Sequence, residues 1–151
     1  SIRNIINADQ SKNYEWFDSK DGKLYVRVNS FSYRKKIPAD ISGNGGGFVF
    51  DCRSIPNPGR IEKYKQLNGT DKSVHDFLHI QPEAQIFLKD SFELVDKTVE
   101  NYIKRGWTDL MVNYGCTGGQ HRSVYCAEML VKHLKKKYDI DVELRHTTFK
   151  P

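Results

Sequence analysis

Residues 110–123 read LMVNYGCTGGQHRS, and this stretch predicts the fold. Its first five residues form a largely apolar run, which is too short for a helix and typical of a buried parallel strand. A glycine-rich turn follows, and beyond it the apolar residues recur at helical spacing: Val124, Ala127, Leu130, Val131, Leu134 and Tyr138. A strand that enters a helix through such a turn is typical of parallel α/β domains.

Strands and helices are also predicted on both sides of this unit. Residues 24–34, 48–50 and 142–145 are short apolar or alternating stretches, as expected of strands. Two more helical patterns are bounded by capping and breaking residues: Thr70 or Asp71 before a short helix, and Pro82 and Gly106 around a long one. We therefore predict an α/β fold with a mostly parallel sheet flanked by helices. Right-handed crossovers would place helices on both faces of that sheet.

Length and composition favour one compact domain. The chain has 151 residues, of which 38% are hydrophobic and 12% aromatic, and this suits a single folded core. Residues 1–22 are polar and show no clear period, so we interpret them as a lead-in or linker remnant and place the domain at residues 23–151. Because the chain does not begin with Met, we expect it to be a piece of a longer protein.

The cysteines and the apolar segments bear on cellular location. Cys52, Cys116 and Cys126 are few, odd in number and without paired spacing, which is typical of a reduced, cytoplasmic protein. No run of about 18 apolar residues is long enough for a transmembrane helix, and the N-terminus lacks the apolar core of a secretory signal. We predict a cytoplasmic protein with no membrane partner.

Basic residues outnumber acidic ones by 24 to 19, and the resulting net charge of +5 suits phosphorylated metabolites, nucleotides or RNA. Much of the excess lies in two runs, which are the candidate RNA-binding residues: Arg34, Lys35 and Lys36, and Lys132, Lys135, Lys136 and Lys137. The second run ends a predicted helix, where cations complement the helix dipole. It is therefore explained either by that structural role or by RNA binding.

Three of the predicted strands are followed by polar and basic clusters. Arg53 and Asn57 follow the strand at 48–50. The GCTGG turn follows the strand at 110–114, and His146 follows the last strand. Because the carboxyl ends of parallel strands share one edge of a sheet, and ligands bind there, we expect the three clusters to converge.

The middle cluster predicts an anion-binding loop. The first amides of a helix have no partner within it and lie at the positive end of its dipole, and glycines let the main chain approach an anion closely. Cations in the first turn oppose the dipole unless an anion is bound, and Arg can grip a phosphate with two hydrogen bonds. The alternative is a tight turn that only packs strand against helix. The candidate phosphate-binding residues are Arg53, Asn57, Gly115, Cys116, Thr117, Gly118, Gly119, His121, Arg122, Ser123 and His146.

Other chemistries are less well supported. The GxxxxGK[ST] and GxGxxG motifs are absent, and no spacing of His, Cys and acidic residues matches a zinc site, so no metal and no cofactor is predicted. The segment from Cys116 to Ser123 fits C-x-x-G-x-x-R-[ST], which is similar to the phosphate loop of cysteine-dependent phosphatases, with Cys116 as nucleophile and Arg122 as clamp. However, Gly115 stands where that class has His, and no general-acid Asp can be picked out. A non-catalytic domain is therefore favoured over an enzyme.

Four stretches resemble, in order and spacing, the C-terminal domain of the RapZ family: SFSYRKKIP (30–38), FDCRSIPNP (50–58), LNGTDKSVHDFL (67–78) and GCTGGQHRSVYCAE (115–128). The resemblance covers about residues 24–147. It implies a small α/β domain similar to a subdomain of phosphofructokinase, in a family of RNase adapters and nucleotide-binding proteins that regulate amino-sugar metabolism.

The resemblance also implies a ligand. The family's C-terminal domain is implicated in binding glucosamine-6-phosphate and small regulatory RNAs, and in self-association. The family's motif positions are occupied here by Arg53, Asn57, Gly69, Asp71, Cys116, Thr117, Gly118, Gly119, His121, Arg122 and Ser123. The family's kinase-like N-terminal domain lies outside the resemblance, so ATP hydrolysis is not implied. We expect a regulatory domain for a phosphorylated amino sugar or related metabolite, with an RNA-binding adapter as the alternative, and with self-association or an attached catalytic domain as partners.

Overall fold

The computed structural model describes residues 23–149, so the predicted lead-in at residues 1–22 lies outside the described part. Four strands and three α-helices alternate along the chain, in this order: β1 (Tyr25–Ser32), β2 (Phe48–Asp51), α1 (Lys72–His79), α2 (Pro82–Arg105), β3 (Asp109–Cys116), α3 (Arg122–Lys137) and β4 (Asp141–His146). Two short 3-10 turns, Pro58–Arg60 and Glu62–Tyr64, lie between β2 and α1. Each predicted strand and helix is present, with ends shifted by a few residues.

The four strands form one parallel sheet in the order β2-β3-β1-β4. The two inner strands pair along their whole length, with Val28 of β1 opposite Val112 of β3. Every residue of β3 is buried, as expected of a central strand in an α/β domain. The sheet confirms the predicted α/β fold.

The three helices lie on one face of the sheet. The connections from β2 to β3 and from β3 to β4 both move across the sheet in the same direction, so a common right-handed crossover places their helices on the same side. Only the connection from β1 to β2 moves the other way, and residues 33–47 contain no helix. This loop lies against the second face, where Asn44 Nδ2 donates to Asp109 O at 3.3 Å. The expectation of helices on both faces is therefore wrong for the described residues.

The hydrophobic core fills the space between the helices and the sheet. Val26, Val28 and Val112 point into it from the sheet, and Leu130 and Leu134 meet them from α3, all five with no exposed surface. Each such side chain stabilises the fold by about 1.5–3 kcal/mol relative to an exposed one. Because α3 is held along its length in this way, its first turn has a fixed position at the carboxyl edge of the sheet.

Candidate anion-binding site

A cavity of about 190 Å³ opens at the carboxyl edge of the sheet, beside the start of α3. Its lining comes from the segments that follow β1, β2 and β3: Arg34, Asn57, Gly59, Cys116, Thr117, Gly118, Gln120, His121 and Arg122. Six of the residues predicted to bind phosphate therefore lie around one cavity. We call residues 117–121, which join β3 to α3, the anion loop.

The carbonyl groups of the anion loop are tied away from the cavity. Ser32 Oγ donates to Thr117 O at 2.6 Å, and Thr148 Oγ1 donates to Gly119 O at 2.6 Å. In a trans peptide the carbonyl and the following N–H point in opposite directions, so the N–H groups of Gly118 and Gln120 point away from Ser32 and Thr148, and both residues line the cavity. Neither amide donates to any atom of residues 23–149. The loop thus presents unpaired N–H groups at the positive end of a helix.

Gly119 is required by the shape of the loop. Its φ is +69°, in the left-handed region that L side chains rarely adopt. A Cβ there would lie 2.6 Å from Thr148 Cγ2 and 3.0 Å from Ser32 N. Glycine at this position therefore lets the loop contact its two anchors closely.

Arg122 joins the anion loop to the segment that follows β2. Its Nη1 donates to the carbonyl oxygens of Arg53 and Ile55 at 2.9 and 3.0 Å. The side chain is almost fully buried, with the residue 6% exposed, and the buried Nε has no hydrogen-bond partner among the described residues. A buried, unpaired guanidinium N–H is costly, and an anion in the cavity that Arg122 lines would compensate it.

His121 and Asn57 are held by the main chain at the far side of the cavity. His121 Nε2 lies 3.0 Å from Tyr64 O, so Nε2 carries the proton and Nδ1 is left without a partner in the described part of the chain. Asn57 Oδ1 accepts from Gly59 N at 2.9 Å, which shapes the 3-10 turn and leaves its side-chain amide as a donor. Both residues supply polar groups suited to a hydroxylated or charged ligand.

Cys116 ends β3, lines the cavity and is buried. Cys116 Sγ donates to the hydroxyl oxygen of Ser123, the second residue of α3, at 3.1 Å, and the backbone N–H of Ser123 donates to the same sulfur at 3.5 Å. The other two thiols belong to the core, where burial raises the pKa of the Cys52 thiol. Among the cysteines, Cys116 is the one that borders the cavity.

Two predicted ligand residues do not reach the cavity. Arg53 turns back onto Asp51, with 2.8 Å between Nη2 and Oδ2, and lies over the ring of Tyr33 with its side chain 48% exposed. His146 is buried on the helix-covered side of the sheet, where its two ring nitrogens contact Ser30 and Glu128. Local features explain why both side chains stay out of the cavity. Arg53 pairs with the carboxylate of Asp51, two residues earlier. Side chains alternate between the two faces of β4, and this alternation places His146 on the buried face.

Three further predicted residues support the cavity without lining it. Gly115 lies within β3, where a Cβ would be 2.4 Å from the Phe31 ring. Gly119 and Ser123 act through the contacts described above. Gln120 and Gly59 also line the cavity, although neither was predicted to bind phosphate, and Arg34, which was predicted to bind RNA, lies two residues after β1 at the same sheet edge. That position was the signal that could have placed Arg34 in the site.

The two basic runs lie at opposite edges of the sheet. Arg34, Lys35 and Lys36 are exposed beside the cavity, at the carboxyl edge. The second run ends α3, which returns to the amino edge, and there Lys137 pairs with Asp96 at 2.9 Å. One continuous RNA surface that uses both runs is therefore not formed on a single copy of the chain, and RNA binding stays a prediction.

The charge of the cavity has one sign. Arg34 and Arg122 are cations, and no Asp or Glu of residues 23–149 belongs to its lining. A cavity with cationic walls concentrates anions. Placed at the carboxyl edge of a parallel sheet, it has the position at which α/β domains bind ligands. The fold and the site together define a parallel α/β domain with a pocket suited to an anion.

The chain belongs to the RapZ family. Residues 24–150 match the family model described as the RapZ C-terminal domain, which confirms the resemblance of the four motifs. A nucleotide-binding protein of Lactobacillus acidophilus is 36% identical over 128 residues, which are 85% of this chain and 42% of that protein. Another, from Macrococcus caseolyticus, is 34% identical over 140 residues, 92% of this chain and 45% of that protein.

The chain spans less than half the length of these relatives. A third nucleotide-binding protein, from Pseudothermotoga lettingae, is 36% identical over 126 residues, 83% of this chain and 44% of its own length. Within residues 23–149, no helix combines the length and the apolar character that a membrane span requires.

Proposed function

We propose that this domain binds a phosphorylated small metabolite, with its phosphate on the anion loop, and that a phosphorylated amino sugar is the leading candidate. The observation that carries the proposal is that Arg122, whose buried Nε has no hydrogen-bond partner among the described residues, lines the same cavity as the anion loop. The polar side chains of Asn57 and Gln120 would face the rest of the ligand. The names of the relatives, nucleotide-binding proteins, fit a ligand that carries phosphate.

We propose a regulatory role in the cytoplasm rather than catalysis. The cavity has donors and cations for holding a phosphate, and none of the described residues that line it is a carboxylate for acid or base work. Because the chain matches only part of its relatives, the ligand would act on an attached catalytic domain or on self-association.

Arg34 provides a test that leaves the fold intact. Its side chain is exposed and has no hydrogen-bond partner among the described residues, yet it lines the cavity. We expect Arg34→Ala to weaken binding of glucosamine-6-phosphate by about tenfold, the low end for one charged hydrogen bond (about 1.5–3 kcal/mol), because this side chain is exposed to solvent. Isothermal titration calorimetry measures this, with Lys36→Ala as the matched control, since Lys36 is equally exposed but does not line the cavity.

The ligand series separates the phosphate from the sugar. Glucosamine-6-phosphate, inorganic phosphate and glucosamine are titrated in parallel, and the first should bind most tightly and the last most weakly. Absence of binding of all phosphate-bearing compounds at millimolar concentration would refute the proposal. Equal losses in Arg34→Ala and Lys36→Ala would point instead to the diffuse electrostatics of a polyanion site, as expected for RNA.

A cysteine-dependent phosphatase is the second candidate, and one observation favours it. The backbone N–H of Ser123, in the first turn of α3, donates to Cys116 Sγ at 3.5 Å, and a donor of this kind stabilises a thiolate nucleophile. Against it, Nη1 of Arg122 is engaged by two carbonyls and no carboxylate of the described residues lines the cavity. A phosphatase needs an acid to protonate its leaving group.

The two candidates differ in the result of one assay. For a binding domain, we expect no turnover of an aryl phosphate above the rate of Cys116→Ser, and we expect Cys116→Ser to bind inorganic phosphate within about threefold of the unmodified chain, since a hydroxyl replaces the thiol beside Ser123. Turnover that disappears in Cys116→Ser would establish the phosphatase. Circular dichroism of the variant checks that its fold is unchanged.

A further inference from the structure

A line of hydrogen bonds crosses the domain through the carboxylate of Glu128. Its Oε1 lies 3.2 Å from His75 Nε2, and its Oε2 lies 3.2 Å from His146 Nε2. The other ring nitrogen of His146, Nδ1, lies 2.7 Å from the hydroxyl of Ser30. One carboxylate on α3 therefore holds α1 and the ends of β1 and β4 together.

The turn after β4 continues this line to the anion loop. The N–H and the hydroxyl of Thr147 both donate to Ser30 O, at 3.1 and 2.8 Å. The hydroxyl of Thr148 donates to Gly119 O, and its methyl group fills the space that a Cβ at Gly119 would need. Because this bond fixes the direction of the Gly119 carbonyl, it also fixes the opposite direction of the N–H of Gln120, a residue that lines the cavity.

We propose that Glu128 is a positioning residue for the anion loop, acting through His146 and Thr148. Glu128 does not line the cavity, so it acts through the groups that it holds. The inference rests on the proposed function, because it assigns a role to the loop whose phosphate binding is proposed above. It adds that the orientation of the N–H groups in the anion loop depends on the carboxylate of Glu128, which lies outside the cavity.

The carboxyl group of Glu128 is held in its charged form. Burial alone would raise its pKa, but hydrogen bonds from His146 and His75 outweigh burial and lower the pKa to about 2. Among the described residues, the titratable groups that contact the Glu128 carboxylate are these two rings, His146 on β4 and His75 on α1. Behind them, the hydroxyl of Ser30 on β1 contacts His146, and the ring of Tyr125 on α3 packs edge-on against His75. Since the folded pKa lies below the ordinary value of 4.5, the carboxylate stabilises the fold above about pH 4.5, and this contribution is lost as the pH falls toward 2.

The experiment measures the mobility of the anion loop without ligand and the affinity of the chain for inorganic phosphate. Relaxation of ¹⁵N reports the order parameters of residues 118–120 in the ligand-free chain, and calorimetry reports the affinity for inorganic phosphate. We expect Glu128→Ala to lower the order parameters from about 0.85 to below about 0.6 and to weaken phosphate binding by about three- to tenfold, the value of one hydrogen bond. Thr148→Val, which keeps the methyl group and replaces the hydroxyl with a second methyl, should reproduce both effects. Glu128→Gln should keep part of the order and of the phosphate affinity that Glu128→Ala loses.

Two controls separate positioning from a general loss of stability. Glu93→Ala removes a carboxylate that pairs with Lys89 on the exposed side of α2, and it should change neither quantity. In the double variant Glu128→Ala with Thr148→Val, the loss should equal that of the larger single variant, because the two residues act along one path.

The outcomes distinguish the inference from the proposed function. Order parameters and phosphate affinity that stay unchanged in both Glu128→Ala and Thr148→Val overturn the inference. If the unmodified chain binds no phosphate, the proposed function fails, and the ligand-free order parameters still test the positioning. If Glu128→Ala does not fold, Thr148→Val and the acid titration of Glu128→Gln decide: Glu128→Gln should lose less stability than the unmodified chain between pH 4.5 and 2.

Discussion

Replacing Arg122 by Ala is expected to weaken phosphate binding by about 10- to 100-fold and to lower the free energy of unfolding by about 2–4 kcal/mol. The loss of affinity follows from removing a charged, fork-shaped donor from the cavity. The loss of stability follows because the carbonyls of Arg53 and Ile55, which accept from Nη1 at 2.9 and 3.0 Å, would be left without that donor. Calorimetry with inorganic phosphate and urea unfolding measure the two quantities.

Two further variants show which property of Arg122 matters. Arg122→Lys keeps the charge and loses the planar fork, so it should recover part of the stability and little of the affinity. Arg53→Ala is the matched control, because that side chain is half exposed and pairs with Asp51 outside the cavity. It should change the affinity by less than twofold. A larger loss of affinity in Arg53→Ala than in Arg122→Ala would show that the anion sits on the outer side of the β2 segment.

Gly69→Ala should destabilise the domain by about 3 kcal/mol or more and disorder the start of α3. Gly69 N donates to Gln120 O at 2.6 Å, so the backbone before α1 touches the anion loop directly. A Cβ on Gly69 would lie 2.5 Å from His121 O and 2.8 Å from Tyr125 N. These are backbone atoms that cannot rotate away, and overpacking of this kind costs about 1–3 kcal/mol or more. Urea unfolding measures the loss.

Gly118→Ala is the control for this prediction. Gly118 lies in the anion loop that Gly69 contacts, its φ is not in the left-handed range, and a Cβ there would meet no atom within 4 Å. Stability should therefore stay within about 0.5 kcal/mol or rise slightly, because alanine reduces the entropy of the unfolded chain. Equal destabilisation by the two substitutions would contradict the packing described for Gly69.

The predictions for Arg122 and Gly69 both concern hydrogen bonds that link distant segments around the cavity. Arg122 ties the β2 segment to α3 by side-chain hydrogen bonds, and Gly69 ties the segment before α1 to the anion loop by a main-chain bond. The cavity therefore depends on three segments that are distant in sequence. Loss of any one tie should affect both ligand affinity and stability, whereas loss of Arg34 should affect affinity alone.

The sequence by itself determined the unit of strand, glycine-rich turn and helix at residues 110–123, because period, glycine placement and helix-end chemistry act over a few residues. It also determined that the carboxyl ends of the strands would meet, since parallel pairing brings them to one edge. The sequence also determined the orientation of His146, because side chains alternate along a strand and His146 therefore shares the inward face of β4 with Val142 and Leu144.

Only the tertiary structure decided which of the converging side chains reach the cavity. Arg53 and Arg34 both follow strands, yet Arg53 turns back to Asp51 and Arg34 lines the cavity. That difference depends on side-chain partners and on the direction in which each loop leaves the sheet, which spacing does not encode. The placement of all three helices on one face depends likewise on the order of the strands, because right-handed crossovers follow the direction of each step across the sheet.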